Sequence, residues 1–181
     1  MLLDTPICDF GWPAPDFTLA TPDGDTHRMR DHLGEKGLLI AFICNHCPYV
    51  KAIADRLSAD AADLKSEGFG VLAVMSNDYQ SYPDDAPAKM TAFARQHGFG
   101  FPYLIDEDQA VARAYGAVCT PDFFGLDAAG GLQYRGRLDD AKMGDASQRN
   151  PELLNAMRQV GETGHGPEDQ TPSMGCSIKW R

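Results

Sequence analysis

Apolar positions fall into two patterns that meet near residue 45. Leu38 to Ile43 is an unbroken apolar run rich in Ile and Leu, as expected of a central strand buried on both faces. After Pro48 the period changes. Val50, Ile53, Leu57, Ala61 and Leu64 recur every three or four residues, with Lys51, Asp55, Arg56, Asp60 and Asp63 between them, which predicts an amphipathic helix. Pro48 suits the first turn, where its missing N–H leaves no bond unmade, and Gly68 is placed to stop the helix. Phe69 to Ser76 supplies a second buried strand, so strand, helix and strand form a right-handed crossover unit.

Upstream, Phe17 to Ala20 alternates and runs into Pro22-Asp23-Gly24, a turn, so residues 1–27 read as an N-terminal β-hairpin extension. Downstream, Asn77 to Ala86 is polar and turn-rich. Pro87 opens a helix whose inward face is Met90, Phe93, Ala94 and His97, closed by Gly98. Phe101 to Ile105 reads as a strand, and Asp106 with Gln109 as a capping box for a helix through Val111, Ala114 and Tyr115 that Gly116 ends. Val118 to Leu126 and Leu132 to Gly136 flank Gly130-Gly131 as an antiparallel hairpin, and Asn150-Pro151 starts a last helix reaching Val160. Residues 161–181 are a Gly-, Pro- and Thr-rich tail, but Ile178 and Trp180 beside Cys176 suggest that it docks. With no repeat or linker, residues 1–181 read as one domain.

Composition narrows the partners. The 26 acidic against 16 basic side chains give a formal charge of -10, which argues against nucleic acid or an anionic membrane. The longest apolar run is far too short to cross a bilayer, and Met1 to Trp12 has no signal-peptide pattern. The chain therefore reads as cytoplasmic, although a mature chain that had lost its signal would look the same. Its five cysteines (Cys8, Cys44, Cys47, Cys119, Cys176) then suit reduced catalytic or sensing thiols better than a disulfide framework.

The candidate chemistry lies in Cys44-Asn45-His46-Cys47-Pro48. A Cys-x-x-Cys at a strand-to-helix junction places a thiol near unpaired helix N–H groups, which stabilise an anion. Cys44 is expected to hold that thiolate, in the ~3.5–7.5 range of such sites, with His46 adding positive charge when protonated and Cys47 the more buried, resolving thiol. Asn45, His46 and Pro48 would tune the pair. Other uses of the two cysteines compete. Haem attachment needs His directly after the second Cys, where Pro48 stands. Zinc needs two further ligands, and no second Cys-x-x-Cys or close His pair exists. Inert core packing is the remaining alternative. No cofactor and no resident metal are expected.

A buried strand ending in Cys-x-x-Cys-Pro, then a helix, a strand and a Thr-Pro opening a hairpin, resembles the thioredoxin superfamily across most of the chain. Ala14-Pro15-Asp16-Phe17-Thr18-Leu19 with Asp23-Gly24, and Asp108 to Val118 with its Ala-Tyr-Gly, resemble the peroxiredoxin-related (alkyl hydroperoxide reductase and thiol-specific antioxidant) branch, which includes membrane-tethered disulfide reductases. The resemblance implies an α/β thioredoxin-like fold with a central mixed sheet flanked by helices. It implies further that Pro121 is cis against the Cys-x-x-Cys, with Thr120 docking an extended substrate.

Three departures follow. Leu38 to Ile43 carries no buried acid to serve as proton acceptor for the second cysteine. A water, His46 or the Asp139-Asp140 carboxylates folding back are the alternatives. The peroxidatic Pro-x-x-x-Thr-x-x-Cys loop is absent, which weakens direct peroxidase activity. Finally, Cys119, two residues before Pro121, would lie near the pair as a packing residue, third redox thiol or soft metal ligand; Cys176 is a further candidate thiol. The resulting expectation is a thiol-disulfide oxidoreductase acting on protein or peptide thiols and disulfides, with a separate reducing partner and with Phe42, Tyr49 and Phe123 lining a shallow groove. A peroxidase of the same fold and a copper or zinc carrier or sensor using Cys44, Cys47 and Cys119 are the alternatives.

Overall fold

The computed structural model describes residues 1–181. Ten strands and four helices follow one another: β1 (Leu2–Asp4), β2 (Thr18–Ala20), β3 (Thr26–Arg28), β4 (Gly37–Phe42), α1 (Pro48–Ser66), β5 (Phe69–Met75), α2 (Pro87–Gln96), β6 (Tyr103–Ile105), α3 (Ala110–Tyr115), β7 (Cys119–Thr120), β8 (Asp122–Leu126), β9 (Leu132–Tyr134), α4 (Glu152–Thr163) and β10 (Met174–Ser177). The main sheet has seven strands in the order β3-β2-β6-β5-β4-β8-β9. It is mixed: β4 runs parallel to β5 and antiparallel to β8.

The continuous apolar run works because each face of β4 has its own core. Leu39, Ala41 and Ile43 face Val50, Ile53, Leu57 and Leu64 of α1, Met90 of α2 and Leu153 and Met157 of α4. Leu38, Ile40 and Phe42 face the other way, onto Met29, Tyr115, Phe124 and Ile178. A period of two therefore feeds two cores from one strand. The helix is as the spacing predicts, ending just before Gly68, whose φ of +101° suits the chain reversal into β5. No helix is long and apolar enough to cross a membrane.

Several local expectations change. The N-terminal hairpin forms between β2 and β3, but Leu2–Asp4 is an additional strand outside it. Asp106 and Gln109 do not make a capping box. Gln109 has a left-handed backbone (φ 62°) and its amide donates to the carbonyls of Ser76 and Lys179, each at 2.8 Å. The Asp106 carboxylate accepts the N–H groups of Val111 and Ala112, and Asp108 that of Ala110. Beyond residue 160 the last helix continues to Thr163.

The tail docks as the strand β10, in a second sheet of order β1-β10-β7. Its fit is close. A Cβ on Gly175 would lie 1.8 Å from the Thr120 carbonyl oxygen, so Gly175→Ala must push β10 off β7. We expect it to cost about 1–3 kcal/mol and to accelerate native-state amide exchange at residues 174–177. Unchanged exchange at those amides would contradict the close approach.

Candidate redox site

The loop between β4 and α1 brings the two thiols to the head of the helix, which starts at Pro48 as the sequence suggests. Cys47 is the N-cap residue of α1, and Pro48 follows at the first helical position. The Cys47 carbonyl accepts the N–H groups of Val50 (3.1 Å) and Lys51 (3.0 Å). Both thiols are sealed from solvent, Cys44 being 1% and Cys47 0% exposed.

Thr120 faces them. Its Oγ1 lies 3.3 Å from Cys44 Sγ, and its carbonyl accepts a hydrogen bond from Cys47 Sγ at 3.3 Å. The Thr120-Pro121 peptide is cis, as the resemblance implies.

The pair holds one negative charge readily. Hydrogen bonding from the Cys44 thiol, with help from Cys176 and the Val50 N–H, brings Cys47 down to about 4 despite burial. Cys44 is correspondingly raised, by donating to Cys47, by burial and by the charge of Asp85. Hydrogen bonding between the two thiols thus pulls Cys47 down and pushes Cys44 up, the opposite direction for Cys44 to the one its place before the helix suggested.

Behind the loop stands a residue that sequence reasoning did not single out. Asp85 is fully buried, and its carboxylate accepts from four donors. Oδ1 receives the N–H groups of Asn45 (2.8 Å) and His46 (3.2 Å); Oδ2 pairs with His46 Nδ1 at 2.6 Å and takes Asn77 Nδ2 at 2.9 Å. Although burial opposes it, hydrogen bonds from His46 and Asn77 hold the Asp85 carboxyl below its ordinary range. The same bond raises His46. Asn45 is fixed on its other side by Tyr103, whose hydroxyl donates to Asn45 Oδ1 at 2.9 Å. The two middle residues of the motif thus hold the loop in place. Nothing in the local pattern separates Asp85 from Asp84, a neighbour in the same turn with a 69% exposed side chain.

Donor atoms of Cys44, His46 and Asp85 converge within 4.8 Å. The His46 Nδ1 and both Asp85 oxygens are already committed to each other and to the loop, which does not resemble a free ligand set.

Three sequence candidates turn away from the pair. Asp139 is held between Arg56 (2.8 Å) and Arg149 (3.3 Å), and Asp140 accepts the Asn150 N–H at 2.8 Å, so neither folds back on the thiols. Cys119 is buried with its Sγ 4.0 Å from the Pro121 carbonyl, and burial pushes it up to about 12. Alternation explains this: with Thr120 turned toward Cys44, the preceding side chain points away.

The third thiol beside the pair is Cys176. It stands directly opposite Thr120 across the β7–β10 ladder, and opposite residues in an antiparallel pair share a face.

The proposed aromatic groove is also only part of the picture. Phe42 is wholly buried in the far core, against Phe124. Tyr49 and Phe123, with Ile53, Pro121, Met143 and Met174, instead line a cavity of about 260 Å³ beside Pro121.

A dithiol at a helix N-terminus, a cis-proline segment across from it and a mixed sheet behind define a thioredoxin-like fold carrying a dithiol site. Comparison of the sequence supports that class and narrows it. The chain belongs to the AhpC/TSA family, whose model matches residues 10–135. It is 28% identical over 120 residues to the thiol-disulfide oxidoreductase ResA of Geobacillus thermodenitrificans, covering 66% of this chain and 64% of ResA, just under two thirds of that relative. It is also 28% identical over 112 residues to the peroxiredoxin Bcp of Escherichia coli K12, covering 62% of this chain and 67% of Bcp. Among solved structures, an uncharacterized conserved protein from Geobacillus kaustophilus aligns over 100% of this chain and 97% of its own, with 39% identity and a TM-score of 0.93.

Proposed function

We propose that the protein exchanges disulfides with protein or peptide partners through Cys44 and Cys47. The observation that carries this reading is the pair of thiols at the head of α1 with Thr120, on the cis peptide bond to Pro121, within 3.3 Å of both sulfurs. Cys44 passes its proton to Cys47 and, as thiolate, attacks a partner disulfide. A Cys44–partner bond forms, the partner's S–S bond breaks, and the departing sulfur leaves as thiolate. Cys47 then surrenders that proton to the departing thiolate and attacks Cys44. The Cys44–Cys47 disulfide forms and the second partner sulfur leaves. A raised Cys44 makes the stronger nucleophile, and a low Cys47 ionises readily for the resolving step. Run in reverse, the same steps oxidise the partner.

The cavity beside Pro121, with its Met and aromatic lining, suits an apolar side chain of such a partner. We place the reaction in the cytoplasm, supported by the uneven cysteine count.

The test is equilibration against graded glutathione buffers, read by alkylation and mass. A two-electron transition at Cys44–Cys47 is expected. Because a stabilised Cys47 thiolate favours the reduced form, its midpoint should lie on the oxidising side of ~-270 mV. No Cys44–Cys47 disulfide at any poise would overturn the reading. Stopped-flow consumption of peroxide outpacing exchange with a disulfide peptide would turn it toward the peroxidase of the same fold.

A further inference from the structure

Dithiol exchange at Cys44 and Cys47 leaves β10 without a role. The strand lies antiparallel on β7, with Cys176 opposite Thr120 and Ser177 opposite Cys119. It therefore fills the backbone edge before Pro121, where an extended partner would add as a strand.

It is fastened at both ends. Ser173 Oγ donates to the Pro121 carbonyl at 2.7 Å. The Lys179 N–H donates to Asn77 Oδ1 at 2.9 Å, and the Lys179 carbonyl accepts the Asp78 N–H at 2.8 Å. Asn77 is itself bonded to Asp85, so the clamp on the strand and the clamp on the Cys-x-x-Cys loop share a residue.

Cys176 packs against the core that contains Cys44 and Cys47, yet it is partly exposed where they are sealed. The backbone N–H and the thiol of Cys176 both lie within hydrogen-bond reach of the Cys47 sulfur, so the two sulfurs stand close enough to bond once the side chains rotate.

We infer that Cys176 is a third redox thiol, which takes the disulfide from Cys47 and presents it at the surface. The inference rests on the proposed function, since that reaction supplies the Cys44–Cys47 disulfide. The step is an exchange. Cys176 loses its proton to solvent and its thiolate attacks Cys47 Sγ. A Cys47–Cys176 bond forms, the Cys44–Cys47 bond breaks, and the electron pair departs with Cys44, which takes up a proton. The number of disulfides is unchanged, and no oxidant enters.

Electrostatics favour this order. In the reduced protein, burial and the Cys47 thiolate push Cys176 up to about 11, and it donates a hydrogen bond. Once Cys47 is bonded to Cys44 its charge is gone, and that opposition to a Cys176 thiolate with it. An external dithiol attacking the partly exposed Cys176 sulfur then expels Cys47, the thiolate that leaves most easily.

Tryptic mapping of the oxidised full-length protein tests the inference. Cys44 and Cys47 share the peptide 37–51, and Cys176 lies in 159–179. After oxidation by glutathione disulfide and alkylation in denaturant, two products are expected from the unmodified sequence. One is peptide 37–51 with two hydrogens lost, and the other is 37–51 joined to 159–179 with Cys44 alkylated. In Cys44→Ser the joined peptide becomes the main product. In Cys176→Ser reduction of the oxidised protein by dithiothreitol should slow by about tenfold or more.

If the Cys44–Cys47 bridge forms but the joined peptide appears in neither the unmodified protein nor Cys44→Ser, Cys176 is a spectator and the proposed function stands. Unslowed reduction of Cys176→Ser would likewise overturn the inference. If neither bridge forms, the proposed function fails with it.

Discussion

Replacing Cys47 with Ser is expected to stop turnover and leave the partner covalently attached to Cys44. The hydroxyl cannot become a nucleophile at neutral pH, so nothing resolves the mixed disulfide, and activity on a disulfide peptide should fall roughly 10³-fold or more. Intact mass under non-reducing conditions should show the chain plus one partner thiol. Cys44→Ser should lose turnover as well, but without that adduct. The contrast matters because hydrogen bonding from Cys44 pulls the Cys47 thiol down while Cys44 is raised. If Cys47 were the attacking sulfur, the adduct would appear in Cys44→Ser instead, and the order of the two steps would be reversed.

Asp85→Asn should produce the largest loss of stability. It leaves four donors converging on a site with one acceptor atom fewer and breaks the pair with His46. Breaking a fully buried pair costs ~3–5 kcal/mol; with the His46 side chain 23% exposed, we expect about 2–4 kcal/mol.

The pH dependence has a definite sign. His46 is raised in the folded state, so its contribution is complete below its unfolded value of ~6.5 and is lost as pH climbs through the folded value. Asp85 is lowered, so its contribution is complete above ~3.9 and is lost as pH falls through its folded value. The stability gap between the native protein and Asp85→Asn should therefore be widest between ~4 and ~6.5 and narrow at higher pH. Urea melts across that range check it, with the His46 ring protons followed by NMR. A His46 titrating at or below ~6.5 in the native protein would remove the pair from the account.

These expectations depend on features of unequal visibility in the amino-acid order. The run from Leu38 to Ile43 and the three- and four-residue spacing after Pro48 specify β4, α1 and their junction, because burial on two faces and on one stripe leaves different periods. Thr120-Pro121 was legible through its resemblance to known relatives. What decides the electrostatics was less so.

The helix start at Pro48 was legible, but which of the two thiols the surrounding hydrogen bonds favour was not, because those partners come from Thr120 and Cys176, far along the chain. Asp85 lies forty residues beyond Asn45 in a polar turn, with Asp84 beside it, and only the tertiary fold buries one and exposes the other. The choice between Cys119 and Cys176 rests on strand parity and register. Cys119 is adjacent in sequence to the residue that meets the thiols, and for that reason faces away. Cys176 becomes their neighbour through a pairing between distant segments.

That pairing also sets the order in which the site can be completed during synthesis. The small sheet joins Leu2–Asp4, Cys119–Thr120 and Met174–Ser177, so its closure waits for residues near 177 to leave the ribosome, long after β4, α1 and β5 can have met. Contacts this distant in sequence carry a large chain-closure entropy and form late. Until then a nascent chain presents Cys44 and Cys47 without their covering strand, open to glutathione and to other unfinished chains.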